Sequence, residues 1–223
     1  MTPGEVVIHR IDLAAERPDH LAPDEQERAA RFHQEIDRRR WTNARSALRE
    51  ILAAELGIVP AGVPLEVTNF EKPILAAPCD FLHFNLAHCE DIMLLALCID
   101  GPVGIDIEPL ERAAGLSGCE ETFCHPQEIA ALPEGEEARN ERLLEIWTAK
   151  EALLKAAGCG LLHPPEAVWI DGEGTRPGWR SDPPLAGIDG WELRALDDVP
   201  LAGHRAFVCT PPGSRLRFAG AHS

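Results

Sequence analysis

The chain has 223 residues, 45% of them hydrophobic and 26% charged, with a formal net charge of −16. That is the composition of an ordinary globular protein long enough to bury a core, and its acidity argues against a nucleic-acid partner, because phosphate binding needs a basic surface. The longest apolar run, residues 92–99, falls well short of the roughly 20 residues a membrane span needs.

Glu5, His9, Arg10 and Asp12 interrupt any N-terminal signal pattern. Seven cysteines without a C-x-x-C pair read as reduced thiols, not as a disulfide framework or a zinc site. A cytoplasmic protein that binds neither membrane nor nucleic acid is expected.

In chain order, Val6 to Ile8 reads as a first strand. Pro23 followed by Asp24 and Glu25 opens a helix running to about Phe32. A second helix spans residues 36–56, with Leu48, Ile51, Leu52 and Leu56 at helical spacing and Gly57 as its stop. Strands are predicted at 65–68, 81–86, 92–98 and 103–107, the last two separated by an Asp100-Gly101-Pro102 turn.

Pro126 starts a short helix to Leu132, and a long helix follows over 138–157. Strands at 168–170, 191–196 and 206–209 complete the pattern, with a Gly/Pro-rich loop over 171–190 and a loose tail after Pro211. Helices precede short strands in both parts of the chain. The reading is α+β, as two pseudo-symmetric halves of helices packed on a small antiparallel sheet, residues 1–104 and 105–223. That inference rests on element order, without a residue-level repeat.

Two short segments carry the chemistry. In Gly104-Ile105-Asp106-Ile107-Glu108, a strand puts both carboxylates on one face and both isoleucines on the other. Carboxylates so placed repel unless solvent or a cation offsets them. An exposed edge strand with a polar face is the bland reading, and a Mg²⁺-type oxygen site is the functional one. Along the long helix, Trp147, Glu151 and Lys155 fall at i, i+4 and i+8, on one stripe that ends at Gly158.

A Glu–Lys pair on a solvated helix contributes only about 0.3–0.5 kcal/mol, but a tryptophan on the same stripe implies that this face meets something. The only lysines are Lys72, Lys150 and Lys155; every other fixed side-chain positive charge is arginine. Two lysines kept in one helix suggest that an ammonium is needed there. Arg28, Arg31, Arg38, Arg39, Arg40, Arg45 and Arg49 line the early helices. Such a run is usually a solvated face, yet in so acidic a chain it is also the obvious anion-binding surface.

Together these residues resemble the 4′-phosphopantetheinyl transferases of the longer, Sfp type. The pattern G-[IV]-D-[IV]-E followed by W-x-x-K-E-[AS]-x-x-K-x-x-G-x-G-L is matched at Gly104, Asp106, Glu108, Trp147, Lys150, Glu151, Ala152, Lys155, Gly158, Gly160 and Leu161. Lys72-Pro73, Phe84-Asn85 with His88, and the arginine-bearing helices extend the likeness.

The resemblance implies a Mg²⁺-dependent enzyme, with Mn²⁺ as a substitute ion. It would move the phosphopantetheine arm of coenzyme A to a serine of an acyl or peptidyl carrier protein, in polyketide or non-ribosomal peptide biosynthesis, releasing adenosine 3′,5′-bisphosphate. Asp106, Glu108 and Glu151 would be the metal ligands, Lys155 would meet the pyrophosphate and the leaving group, and Glu128 would be the base for the serine. Arg28, Arg40, Arg45, Lys72, Pro73 and His88 would hold coenzyme A, on the side of residues 1–104, and the protein would be a monomer.

Three departures concern coenzyme A affinity: Ala87 where relatives often have Ser, Glu71 where Gly is common, and Glu25 where some have Lys. Because carrier proteins are usually acidic as well, docking is expected through a local apolar patch at Leu161, Leu162 and the Leu116 region, without long-range steering. The alternatives are a Mg²⁺-dependent nucleotide pyrophosphate hydrolase, which leaves the segment 147–161 unexplained, and a non-catalytic carrier-binding relative, which has no need of Asp106, Glu108, Glu151 and Lys155 together.

Overall fold

A computed structural model describes residues 1–68, 72–197 and 201–219, the side chain of Leu161 excepted. Glu71 therefore lies outside the described residues. The elements in chain order are β1 (Glu5–Asp12), α1 (Pro23–Ala29), α2 (Glu35–Leu56), β2 (Leu65–Val67), β3 (Pro73–Leu75), β4 (His83–Cys89), β5 (Ile92–Cys98) and β6 (Gly104–Pro109). After a 3₁₀ stretch over Leu110–Leu116 come α3 (Pro126–Ala130), α4 (Glu136–Ala157), β7 (Val168–Asp171), β8 (Gly178–Ser181), β9 (Glu192–Ala195), β10 (His204–Thr210) and β11 (Arg215–Phe218).

Strand alternation builds four layers. In one sheet, ordered β11-β1-β5-β4, Val7, Ile11, Met93, Leu95 and Leu97 face Leu48, Ile51 and Leu52 of α2. The intervening Val6, Ile8, Leu94, Ala96 and Cys98 face the opposite way and share a core with Ile105, Ile107, Ala206 and Val208 of the second sheet, ordered β6-β10-β9. The far face of that second sheet, with Phe207, Cys209 and Leu193, packs on Ala149, Ala152, Leu153 and Ala156 of α4. The order is thus helix, sheet, sheet, helix, each strand supplying two cores through its period of two.

Two details place the site. Asn85 of β4 accepts the Ile105 N–H of β6 at 2.8 Å, pinning the carboxylate strand to the edge of the other sheet. Gly104 lies so close under α4 that a Cβ there would stand 2.0 Å from the Ala152 carbonyl oxygen. Only glycine lets strand and helix approach this far. Both 22-residue helices stop as predicted, at Gly57 (φ 68°) and Gly158 (φ 70°).

The structure corrects several expectations. The described part of the segment after Pro211 is not loose: β11 pairs in parallel with β1, from Glu5↔Arg215 to Ile8↔Phe218. The loop over 171–190 contains β8, hydrogen-bonded to β7, and the Lys72-Pro73 loop opens into β3. The first helix stops at Ala29, three residues early. Short polar or Pro-bearing strands carry too little periodic signal to separate from loop, and tertiary pairing decides them. No helix among the described residues is long and apolar enough to cross a membrane, and the described cysteines are free.

Candidate active site

Asp106 and Glu108 pair across the ladder with Phe207 and Arg205, so both point from β6 towards α4. The helix answers with the predicted stripe. Trp147 Nε1 donates to Glu108 Oε1 at 3.1 Å, and Lys155 Nζ donates to Asp106 Oδ1 at 2.5 Å. Trp147 is fixed by an edge-on contact with Phe123, ring centroids 5.4 Å apart.

The remaining Asp106 oxygen, Oδ2, is buried and has no hydrogen-bond partner among the described residues. Burial pushes the Asp106 carboxyl up to about 7; Lys155 opposes the rise, while Glu108 and Glu151 add to it. Burial likewise raises Glu151, opposed by Lys155 and reinforced by Glu108. Three carboxylates that disfavour one another's charge, one with an orphaned oxygen, form a donor set of hard oxygens suited to a divalent cation.

The three acids do not converge as a preformed chelate. Among the described residues no three His, Cys, Asp or Glu side chains stand ready to hold a metal ion. Cations of the chain itself sit on two of the acids: Lys155 on Asp106, and Arg112, whose Nη1 lies 2.7 Å from Glu108 Oε1. Arg112 was not legible as a site residue, although its place four positions after Glu108 was the available signal.

Beside this cluster lies a cavity of about 910 Å³. Arg28, Arg40, Arg45, Pro73 and His88 line it, along with Trp41, Phe32 and Leu86, so five of the residues expected to hold coenzyme A meet there. Arg28 stacks on Trp41 at 5.6 Å from the ring centroid. Arg40 donates through Nε to Asp91 at 2.8 Å. Arg45 and the buried Arg49 both bond Glu25, which also caps α1 through the Ala22 N–H. Glu25 thus takes up part of the positive charge offered to an anion.

His88 lines the cavity and lies within the field of Lys155. Its side chain is exposed at the cavity wall, yet desolvation by the surrounding protein lowers its imidazole, and Lys155 and Arg40 push it down further. Lys72 stands elsewhere: its ammonium donates to the Lys155 carbonyl at 2.5 Å, satisfying an acceptor of the last turn of α4. It clamps the helix end, and burial depresses its basicity.

Two expectations meet a different geometry. Glu128 is fully occupied: Oε2 accepts from Lys150 Nζ (2.6 Å) and the His125 N–H (2.7 Å), and Oε1 accepts the Ile170 N–H (2.7 Å). Its side chain is 1% exposed. This is the setting of a structural anchor joining α3, α4 and β7, and it gives a proton-accepting role no support. Leu116 is buried with Phe123, Leu143 and Ile146, which removes it from any docking patch, whereas Leu162 is 74% exposed.

Comparison with known proteins agrees with this architecture. Residues 102–202 match the 4′-phosphopantetheinyl transferase superfamily model. The chain is 37% identical over 156 residues to 4′-phosphopantetheinyl transferase HetI of Nostoc sp., covering 67% of this chain and 63% of HetI. It is 32% identical over 129 residues to 4′-phosphopantetheinyl transferase gsp of Aneurinibacillus migulanus, covering 57% and 54%. It is 29% identical over 146 residues to a 4′-phosphopantetheinyl transferase of Bacillus subtilis, covering 65% and 63%. The chain belongs to the 4′-phosphopantetheinyl transferase superfamily. These matches span less than two thirds of each relative's own length.

Proposed function

We propose that the protein transfers the 4′-phosphopantetheine arm of coenzyme A to a serine hydroxyl of an acyl or peptidyl carrier protein, releasing adenosine 3′,5′-bisphosphate. The observation that supports this reading is that His88 lines the cavity with Arg28, Arg40 and Arg45, among acids that include Glu25 and Glu90, and also lies within the field of Lys155, which bonds Asp106. A ligand with phosphate at one end and a pyrophosphate bond further along is what such an arrangement accommodates. The HetI, gsp and Bacillus subtilis relatives are named for this transfer.

In this reading Arg28, Arg40 and Arg45 hold the nucleotide phosphate, Pro73 and the apolar wall pack on the base, and His88 contacts phosphate nearer the reacting bond. Lys72 supports the site by fixing the end of α4. Asp106, Glu108 and Glu151 would hold Mg²⁺, or Mn²⁺ in its place, which when bound neutralises charge developing as the pyrophosphate breaks. Lys155 keeps a proton at Nζ beside that bond and supplies it to the departing phosphate. Glu151, with its carboxyl raised by burial, suits the serine proton better than Glu128, whose two oxygens are already taken.

Residues 1–104 would form the coenzyme A side and 105–223 the metal and carrier side, with exposed Leu162 at the docking edge. Free thiols suit a cytoplasmic protein, which we read as a monomer. The test is to incubate the protein with coenzyme A, Mg²⁺ and several apo carrier proteins and weigh the carriers. A gain of about 340 Da, the mass of the arm, is expected. Adenosine 3′,5′-bisphosphate formed without that gain would indicate hydrolysis and overturn the transfer reading. Glu151→Ala should stay folded and lose nearly all transfer, by about 100-fold or more; a wild-type rate would remove the metal assignment.

A further inference from the structure

The cation seated on Glu108 has no part in the scheme above. Arg112 lies at the start of the 3₁₀ stretch after β6, four residues beyond Glu108, and its side chain is 42% exposed. Two contacts hold it: Nη1 on Glu108 Oε1 at 2.7 Å, and the guanidinium carbon 5.1 Å from the centroid of the Trp147 ring. Trp147 itself donates to the same Oε1. One oxygen of an expected metal ligand therefore accepts from a neutral donor locked in the protein and from a charged donor at the surface.

The two donors differ in what they can do when a dication approaches. The indole is wedged against Phe123 and carries no net charge, so it can keep orienting the carboxylate. The guanidinium is a full positive charge on a long, partly solvated side chain, and its contact with the face of Trp147 does not depend on Glu108, so it can leave the carboxylate and keep the ring. It also reaches beyond Glu108, because its field opposes the rise of the Glu151 carboxyl. Arg112 thus offsets repulsion within the acidic cluster in the absence of metal, and a metal ion meets it as a like charge.

We infer that Arg112 is a built-in counter-cation that competes with the divalent ion for Glu108: it holds the acidic cluster together when metal is absent and sets the metal affinity lower than the carboxylates alone would. This rests on the reading of Asp106, Glu108 and Glu151 as metal ligands. Arg112 would be a tuning residue that acts through Glu108, and its effect belongs to metal binding whether or not coenzyme A is turned over.

The test uses the full-length protein and Mn²⁺ as the probe, with free Mn²⁺ followed by electron paramagnetic resonance at constant ionic strength. Wild type, Arg112→Gln and Arg112→Lys are titrated without coenzyme A and again with it saturating. Without coenzyme A, Arg112→Gln should bind Mn²⁺ on the order of tenfold more tightly, a change of about 1.4 kcal/mol. Arg112→Lys, which keeps the charge, should stay near wild type, and matched thermal midpoints would show that the folds are equivalent. Binding to Arg112→Gln that is equal to or weaker than wild type would overturn the role of Arg112 and leave the metal site standing. No Mn²⁺ binding by any variant up to millimolar ion, with or without coenzyme A, would remove the metal reading and this inference together.

Discussion

Helix α4 carries two lysines that each meet a carboxylate, and the two pairs are opposites. Lys150 is 1% exposed and uses all three ammonium protons, on Glu128 (2.6 Å), the Phe123 carbonyl (2.7 Å) and the Pro165 carbonyl (3.1 Å). Its partner Glu128 accepts two backbone N–H groups besides. Lys155 is 28% exposed and meets Asp106, whose second oxygen is buried without a partner among the described residues. A saturated pair holds structure, and a pair with a valence left over is available for chemistry. One turn and a half of helix separates the two.

Lys150→Ala should break this contrast most visibly. It strands a buried carboxylate, and a loss of about 3–5 kcal/mol is expected in urea denaturation. Lys150→Arg should also destabilise, since a flat fork replaces a compact ammonium bonded in three directions. A stability change below about 1 kcal/mol in both would mean that the pair is not structural. Lys155→Ala should act mainly on turnover: the proposed transfer slows by about 100-fold or more, or about 2.7 kcal/mol, and stability falls by less than at Lys150, because the Asp106 carboxyl, already raised to about 7 by burial, can take up a proton once its partner is gone. Equal losses of stability at the two positions would erase the distinction.

Glu25 sharpens the same contrast at a second saturated carboxylate. Burial would raise its carboxyl, but bonds from Arg49, the Ala22 N–H and Arg45 outweigh this and hold it below the ordinary carboxylate value. The stabilisation is therefore present above pH 4.5, its reference value, and is lost as pH falls through the lower folded-state value. Glu25→Gln should flatten this acid limb, read from thermal midpoints between pH 6 and pH 3. An unchanged acid limb in the variant would place the sensitivity elsewhere.

Much of the site was legible because it depends on periodicity. A strand had to put Asp106 and Glu108 on one face, and a helix had to align Trp147, Glu151 and Lys155, whatever the rest of the chain did. The lysine count pointed to α4, but for two different reasons: Lys150 is a buried strut and Lys155 meets Asp106 of the acidic cluster. What stayed illegible depends on contacts between distant segments. That Glu128 would be claimed by Lys150 and Ile170, that Lys72 would cap α4, and that Leu116 would be buried are results of folding in three dimensions. Spacing along the chain carries no trace of them.

The pairing of β11 with β1 has a consequence for synthesis. Residues 5–12 are made early, but the strand that covers one of their edges is residues 215–218. At roughly 5–20 residues per second, the ribosome needs on the order of 10–40 seconds to make the intervening chain. During that interval β1 can join β5 yet keeps its other edge open, with its N–H and C=O groups free to pair with another nascent chain. Crowded polysomes would bring such open edges together, and slower translation of the second half would lengthen the exposure.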